Sequence, residues 1–403
     1  MTRSRRLATT TGRTTGTTGE GPVLTKEIDT VLVKTASRCN LDCTYCYVYN
    51  SGDDGWKSQP RRMPADVRSA VVDQVGKLSH AQIRPLSLVL HGGEPLLLGL
   101  KDMERLVDGL KGSLRADAGV HVQTNGVLLT DEFIDLFARY DVGISISLDG
   151  PVEIHDKNRV DHHGRGSHAR VTAAVARLIA HPAGTRLFGG LLAVVDPSSD
   201  PAVVYDALKA TGVPSFDFLY RDGNYEALPQ GKSGIDSTEF GQWMIGLLIH
   251  YLADPSPPRI RFIDDIMRLL LGAGGQKEGV GLNEFGIIVI DTDGAITRND
   301  TLKVAYSGAD RFVSAPSVLS NRTIMEQIEG GEFAEYFELQ IPTSPICQAC
   351  SELHVCGGGM PAHRWSEDRG YVNPTVFCAD QKLVISTVRS RLERSTALPL
   401  PVS

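Results

Sequence analysis

An open α/β barrel of six parallel strands, joined to a smaller C-terminal module built around cysteines, is the architecture that this 403-residue chain predicts. Three observations carry the expectation. Short apolar runs alternate with amphipathic helical patterns from residue 28 to 222, the signature of parallel strands joined by right-handed crossovers. Glycine and polar residues gather at the downstream ends of these runs. The seven cysteines fall into two groups, 39/43/46 and 347/350/356/378, with none between.

Residues 1–27 read as a disordered tail. The first twenty (MTRSRRLATTTGRTTGTTGE) are rich in Thr, Gly and Arg, and no apolar segment follows Arg5-Arg6 as a twin-arginine signal requires. Residues 28–222 form the barrel. Strands are expected at 31–35, 86–91, 120–124, 143–148, 187–195 and 216–220. Between them lie helices at 63–79, with Val67, Val71, Val75 and Leu78 on one face, and at 101–114, with Met103, Leu106, Val107, Leu110 and Leu114. Helices at 130–140, 167–180 and 201–211 complete the five crossovers between the six strands, a partial (β/α)6 barrel.

In barrels of this kind, site residues sit at the C-terminal ends of the strands. Here the first strand runs into Cys39, and the second ends in His91-Gly92-Gly93-Glu94-Pro95. The third ends in Gln123-Thr124-Asn125-Gly126, the fourth in Ser145-Ile146-Ser147-Leu148-Asp149-Gly150, and the sixth near Asp222-Gly223-Asn224. A glycine-rich polar rim admits a ligand close to the backbone. His155, His162, His163 and His168 follow without ligand-type spacing and read as solvated loop residues.

From 223 to 276 the alternation stops. Helices at 237–252 and 260–271, split by Asp254-Pro255-Ser256-Pro257-Pro258, form a bridge, with Phe240, Met244, Leu247, Leu248 and Tyr251 as a core stripe. Residues 277–385 form the second module, opening with a hairpin at 285–290 and 295–298 around Asp291-Thr292-Asp293-Gly294. Residues 386–403 are a helix end and tail.

Charge and composition exclude several classes. A net charge of −7 and a pI near 5.9 leave no basic footprint for nucleic acid. No run of eighteen apolar residues predicts a membrane span. An odd cysteine count with no secretion signal favours metal or cluster binding in a reducing cytoplasm over disulfides. In C-N-L-D-C-T-Y-C, Cys39, Cys43 and Cys46 can hold three irons of a [4Fe–4S] cube and leave the fourth open, because such cubes usually take four thiolates. Cys347, Cys350, Cys356 and Cys378 can saturate a second cluster. Zinc is the alternative for either set, and weaker for the first, since zinc prefers four ligands in paired C-x-x-C spacing.

C-x-x-x-C-x-x-C with Tyr45 before its last cysteine, followed after a strand by Gly92-Gly93-Glu94-Pro95, resembles the radical S-adenosylmethionine (SAM) enzymes. The resemblance implies the radical SAM form of the partial TIM barrel and a [4Fe–4S] cluster whose open iron takes SAM's amino and carboxylate groups. It places Tyr45, Gly92, Gly93, Glu94, Asn125, Ser147 and Arg159 around SAM, with Glu94 accepting from the ammonium and Arg159 pairing with the carboxylate. The four later cysteines resemble the SPASM auxiliary-cluster domain. That domain carries two clusters, but here Met360 and Asn299 stand at two cysteine positions and no cysteine lies near 280. One auxiliary [4Fe–4S] cluster is therefore expected.

Asp300 matches the aspartate that acts as general base in the anaerobic sulfatase-maturing branch; its bland alternative is a turn residue pairing with Lys303. DFLYRDGN and VCGGGMPAHRW before NPTVFC resemble the SPASM maturases that form three-residue cyclophanes. That resemblance implies removal of a β-hydrogen from a ribosomally made precursor peptide and an aromatic ring-to-Cβ crosslink. The freed electron would go to the auxiliary cluster and the proton to Asp300. Alternatives are formylglycine formation, epimerisation and thioether formation. An electron donor such as flavodoxin or ferredoxin is implied. The residues before Cys39 are too few for a winged-helix leader reader, so the leader is expected to bind the body of the chain, for example at a strand edge, or a separate protein.

Overall fold

The computed structural model describes residues 26–396; most of the expected N-terminal tail and the last stretch, 397–403, lie outside the described residues. Among the described residues nine strands form one sheet. They are β1 (Thr30–Ala36), β2 (Ser87–Gly92), β3 (Gly119–Thr124), β4 (Gly143–Ser147), β5 (Phe188–Val194), β6 (Ser215–Leu219), β7 (Arg259–Ile260), β8 (Ile287–Ile290) and β9 (Ile296–Thr297). Their order is β7-β6-β5-β4-β3-β2-β1-β8-β9. The six barrel strands stand side by side in chain order, all parallel. The sheet stays open, because the free side of β1 pairs with β8 rather than with β6.

Helices α1 (Ala65–Ala81), α2 (Leu100–Ser113), α3 (Asp131–Tyr140), α4 (His168–Ala180) and α5 (Pro201–Ala210) fill the crossovers. Their apolar stripes meet the sheet. On α1, Val67, Val71, Val75 and Leu78 are buried, and on α2 so are Met103, Leu106, Val107 and Leu110. Local signals set the helix ends. Asp200 accepts from Ala202 N with Pro201 at the first turn of α5, the arrangement that satisfies an orphan amide and presets φ.

Two elements depart from the sequence expectation. The 223–276 bridge contains its two helices, α6 (Glu239–Ala253) and α7 (Arg261–Leu270), but also the short strand β7, which extends the sheet beyond β6. The hairpin of the cysteine module, β8 and β9, forms as expected, yet β8 lies parallel to β1, with Thr30 opposite Ile287 and Val33 opposite Ile290. All four residues of β8, IIVI, are buried. A strand apolar on both faces requires a partner and cover on each side, and β1 provides the edge. One core cluster consequently runs from Ile28 through the barrel to Val388.

The module continues through α8 (Gly331–Gln340) to the long α9 (Cys378–Thr396). Tyr220 after β6, Phe240 on α6 and Phe377 before α9 pack with ring centroids 4.6 to 5.4 Å apart. Beneath them Lys232 Nζ lies 2.6 Å from Asp380 Oδ2, both side chains 0% exposed, and Asp380 also accepts from Gly241 N. Breaking a buried pair leaves one charge uncompensated. Lys232→Met is therefore expected to cost about 3–5 kcal/mol, read as a lower thermal midpoint, with the Lys232→Met/Asp380→Leu double variant recovering part of the loss.

Candidate active site

At the C-terminal ends of the barrel strands lies a cavity of about 730 Å³. Its wall includes Cys39, Cys43, Tyr45, Cys46, Gly92, Gly93, Asn125, Ser147 and Arg159, so these predicted site residues come together. The volume falls in the usual range for small-molecule sites.

The cysteine loop is irregular, and its backbone is held from two sides. On one side Gly93 N donates to Ala36 O at 2.9 Å and Glu94 N to Arg38 O at 3.0 Å. On the other, Asp42 N donates to Val160 O at 2.8 Å, Thr44 N to Asn158 O at 3.1 Å, and Thr44 Oγ1 to Asn158 Oδ1 at 2.7 Å. The glycines are required by this packing. A Cβ on Gly92, whose φ is +137°, would lie 2.2 Å from Ala36 O, and one on Gly93 2.4 Å from Arg38 O. Thus Gly92 and Gly93 seat the cysteine loop while also lining the cavity.

Asp149 is the hub that sequence reasoning missed. Its Oδ2 accepts from the Tyr45 hydroxyl and lies 3.0 Å from Arg159 Nε, and its Oδ1 accepts from Val194 N at 3.1 Å. Arg159 and Arg221 lie over the Tyr45 ring at 5.6 and 5.8 Å. Arg221 Nη2 is 3.3 Å from Asp196. Arg159 Nε and Arg221 Nη2 are thus held by these carboxylates, while Arg221 Nε is buried without a hydrogen-bond partner. Two guanidiniums on one wall, with the unpartnered Arg221 Nε, suit a carboxylate ligand.

Glu94 is fully buried and stands behind the wall. Oε1 accepts from Thr124 Oγ1 at 2.7 Å and from Leu96 N at 3.1 Å, and Oε2 from Asn125 N at 2.9 Å. These bonds tie the ends of β2 and β3 together. Burial outweighs them and pushes its carboxyl up to about 7.

The histidine loop corrects one expectation. His162 and His163 are exposed, but His155 is fully buried, with Ser167 Oγ 2.9 Å from Nε2 and Asp149 N donating to Nδ1. Burial lowers its pKa to about 4, so it is a neutral core residue that fixes the Asp149 turn. His162 Nε2 lies 2.9 Å from Cys39 O, another tie on the cysteine loop.

Asp300 sits away from the cavity wall and is 2% exposed. Lys34 Nζ is 2.7 Å from it and 3.0 Å from Asp291, whereas Lys303, the partner expected for a turn residue, is 3.9 Å away. Burial opposes its charge, but Lys34 and Lys303 together hold the carboxyl below its ordinary range. The Tyr47 hydroxyl, on the wall, donates to Asp300 Oδ2 at 3.3 Å and is the visible link to the cavity.

Cys347, Cys350, Cys356 and Cys378 face one surface pocket with Lys382 at its edge. Burial, then repulsion among the would-be thiolates, pushes Cys356 up to about 12. Among the described residues no trio of His, Cys, Asp or Glu converges closely enough for a single metal ion. Behind the pocket, fully buried Arg364 donates to Leu339 O at 2.6 Å and Gln340 O at 3.2 Å.

Residues 33–189 match the Radical SAM superfamily. This stretch is a radical SAM domain. The chain is 24% identical over 368 residues to the cysteine-type anaerobic sulfatase-maturating enzyme of Clostridium perfringens, covering 87% of this chain and 94% of that protein. It is 26% identical over 338 residues to the serine-type enzyme of Klebsiella aerogenes, covering 81% and 77%. Its fold is similar to that of native anSMEcpe with bound AdoMet, with a TM-score of 0.77 and 22% identity over 92% of this chain and all of the other. It is less similar to Streptococcus suis SuiB bound to precursor peptide SuiA, with a TM-score of 0.56 and 11% identity over 84% and 73% of the two chains.

A radical SAM domain works with a [4Fe–4S] cluster and SAM, and the residues present fit both. Three thiols line the cavity without a fourth beside them, and the two wall guanidiniums, with the unpartnered Arg221 Nε, suit SAM's carboxylate. In anaerobically reconstituted protein, a Cys39→Ala/Cys43→Ala/Cys46→Ala variant and a Cys347→Ala/Cys350→Ala variant are each expected to lose about half the bound iron and sulfide. Arg159→Lys is expected to weaken SAM binding about ten-fold while leaving iron content unchanged, checked by equilibrium binding of SAM.

Proposed function

We propose that this enzyme oxidises a residue within a ribosomally made precursor peptide and closes an aromatic ring-to-Cβ crosslink. The observation that supports this most is the shared wall. The thiols of the N-terminal loop and the inner face of the four-cysteine module, including Gly359, Met360, His363 and Phe377, line one cavity. A peptide lying there touches both ends at once. Its relatives with sulfatase-maturating names favour a substrate of the peptide or protein class.

When bound, the cluster and SAM supply a 5′-deoxyadenosyl radical that removes a hydrogen atom from an unactivated carbon. The chain's own contribution is position and charge. Asp149 holds Tyr45 and Arg159 in place, and the arginines orient the carboxylate of SAM. Apolar wall residues, among them Leu192, Phe218, Tyr220 and Phe262, exclude water from the reacting carbon and suit an aromatic side chain. Cys347, Cys350, Cys356 and Cys378 would hold the iron–sulfur cluster that, when bound, supplies a one-electron acceptor. Tyr47 and Asp300 form a polar link from the wall to the Lys34 ion pair.

A second reading, formylglycine formation, draws on the named relatives. The two differ in product. With SAM, a low-potential reductant and the peptide encoded by a short reading frame beside this gene, the enzyme is expected to yield a peptide lighter by two hydrogens. Fragment ions are expected to be missing across a three-residue ring. An aldehyde at Cys or Ser instead supports the second reading. Cys347→Ala is expected to cleave SAM but make little product; full product at normal rate would remove the electron-acceptor role.

A further inference from the structure

Removing two hydrogens from a peptide takes a hydrogen atom, an electron and a proton. The hydrogen atom leaves Cβ for the adenosyl fragment, and a new carbon–carbon bond forms to the ring. The ring C–H bond then breaks: its electron pair restores aromaticity, the surplus electron passes to a one-electron acceptor of the iron–sulfur class, and the proton needs a base on the cavity wall. Asp300 is set back from that wall, in an ion pair with Lys34.

Three carboxylates line the cavity: Asp29, Asp222 and Glu278. Asp29 is engaged by Arg84 at 2.6 Å and Asp222 by His363 at 3.1 Å. Glu278 takes part in no ion pair among the described residues. Its Oε1 accepts from Asn299 Nδ2 at 2.5 Å. The adjacent Lys277 is turned away, its Nζ 2.5 Å from Asp217. The other charged or titratable groups near Glu278 are Asp222 and, from α8, Tyr336. Gly279 packs against Met360, so Glu278, Asn299 and Met360 gather at one part of the wall. Asn299 and Met360 are two positions where the SPASM resemblance expects cysteine. Here those two positions border a carboxyl that opens on the shared cavity.

We infer that Glu278 is the base that takes the substrate proton, resting on the proposed function above. Burial raises its carboxyl to about 7, which leaves it able both to ionise and to hold a proton near neutrality. The cavity-lining His91 is a weaker candidate, because burial lowers its pKa. Asn299, by donating to Oε1, orients the carboxyl.

The test uses reconstituted full-length enzyme and the peptide that the wild type crosslinks. Glu278→Gln is expected to form 5′-deoxyadenosine at the wild-type rate while product per 5′-deoxyadenosine falls about a hundred-fold. Glu278→Asp is expected to recover much of that ratio. In the wild type the ratio should fall as pH drops below about 7, as Glu278 protonates. Unchanged coupling in Glu278→Gln overturns the inference alone, as does a loss of coupling confined to Asp300→Asn. A wild-type enzyme that makes no ring-closed product lighter by two hydrogens overturns both this inference and the function on which it rests.

Discussion

Everything at this site depends on holding three thiols in an irregular loop whose backbone has no helix or sheet to satisfy it. Unpaired buried amides and carbonyls are costly, so the neighbours supply partners. The Gly92-Gly93-Glu94 turn supplies one edge, and the Asn158–Val160 segment the other. Both segments also face the cavity. Residues that line the cavity are therefore also residues that shape the loop, and a substitution at Gly93 acts on both. A Cβ there meets the backbone of Arg38 and the Tyr49 hydroxyl, so relief requires the loop itself to move.

Charge follows the same economy. Buried cations and carboxylates are placed as small sets: Asp149 with Arg159 and Tyr45, Lys34 and Lys303 with Asp291, Asp300 and Asp310, and Lys232 with Asp380. Each set stakes stability on completeness, since removing one member strands another. Against that background Glu278 stands out, because it faces the cavity with an amide rather than a cation as its partner.

Much of this was legible in the sequence. The six barrel strands lie within a residue or two of their expected positions, because period-two runs bounded by rim motifs are a strong local signal. The cysteine loop, Gly92, Gly93, Asn125, Ser147 and Arg159 meet at one cavity as expected, since strand ends in such a barrel converge. What stayed hidden was tertiary. Nothing local marks IIVI as the partner of β1, and a two-residue strand such as β7 carries no period. His155 is in a polar, charge-rich stretch, yet the fold buries it behind Asp149. Glu94 and Asp300 carry the right chemistry by position, but only the packing shows them set behind the wall. Asp149 was visible in SLDG, where an acid two residues after Ser147 at a strand end was a signal that went unused. Glu278 lies in a glycine-rich connector with no motif around it.

The central claim is that a peptide carbon in this cavity gives up a hydrogen atom to the adenosyl group formed from SAM. It is tested most directly by incubating the reconstituted enzyme with SAM, a low-potential reductant and the precursor peptide deuterated at the target β-carbon. The expected result is deuterium in the recovered 5′-deoxyadenosine, matched to modified peptide. 5′-Deoxyadenosine free of deuterium, formed while the peptide is modified, would contradict it.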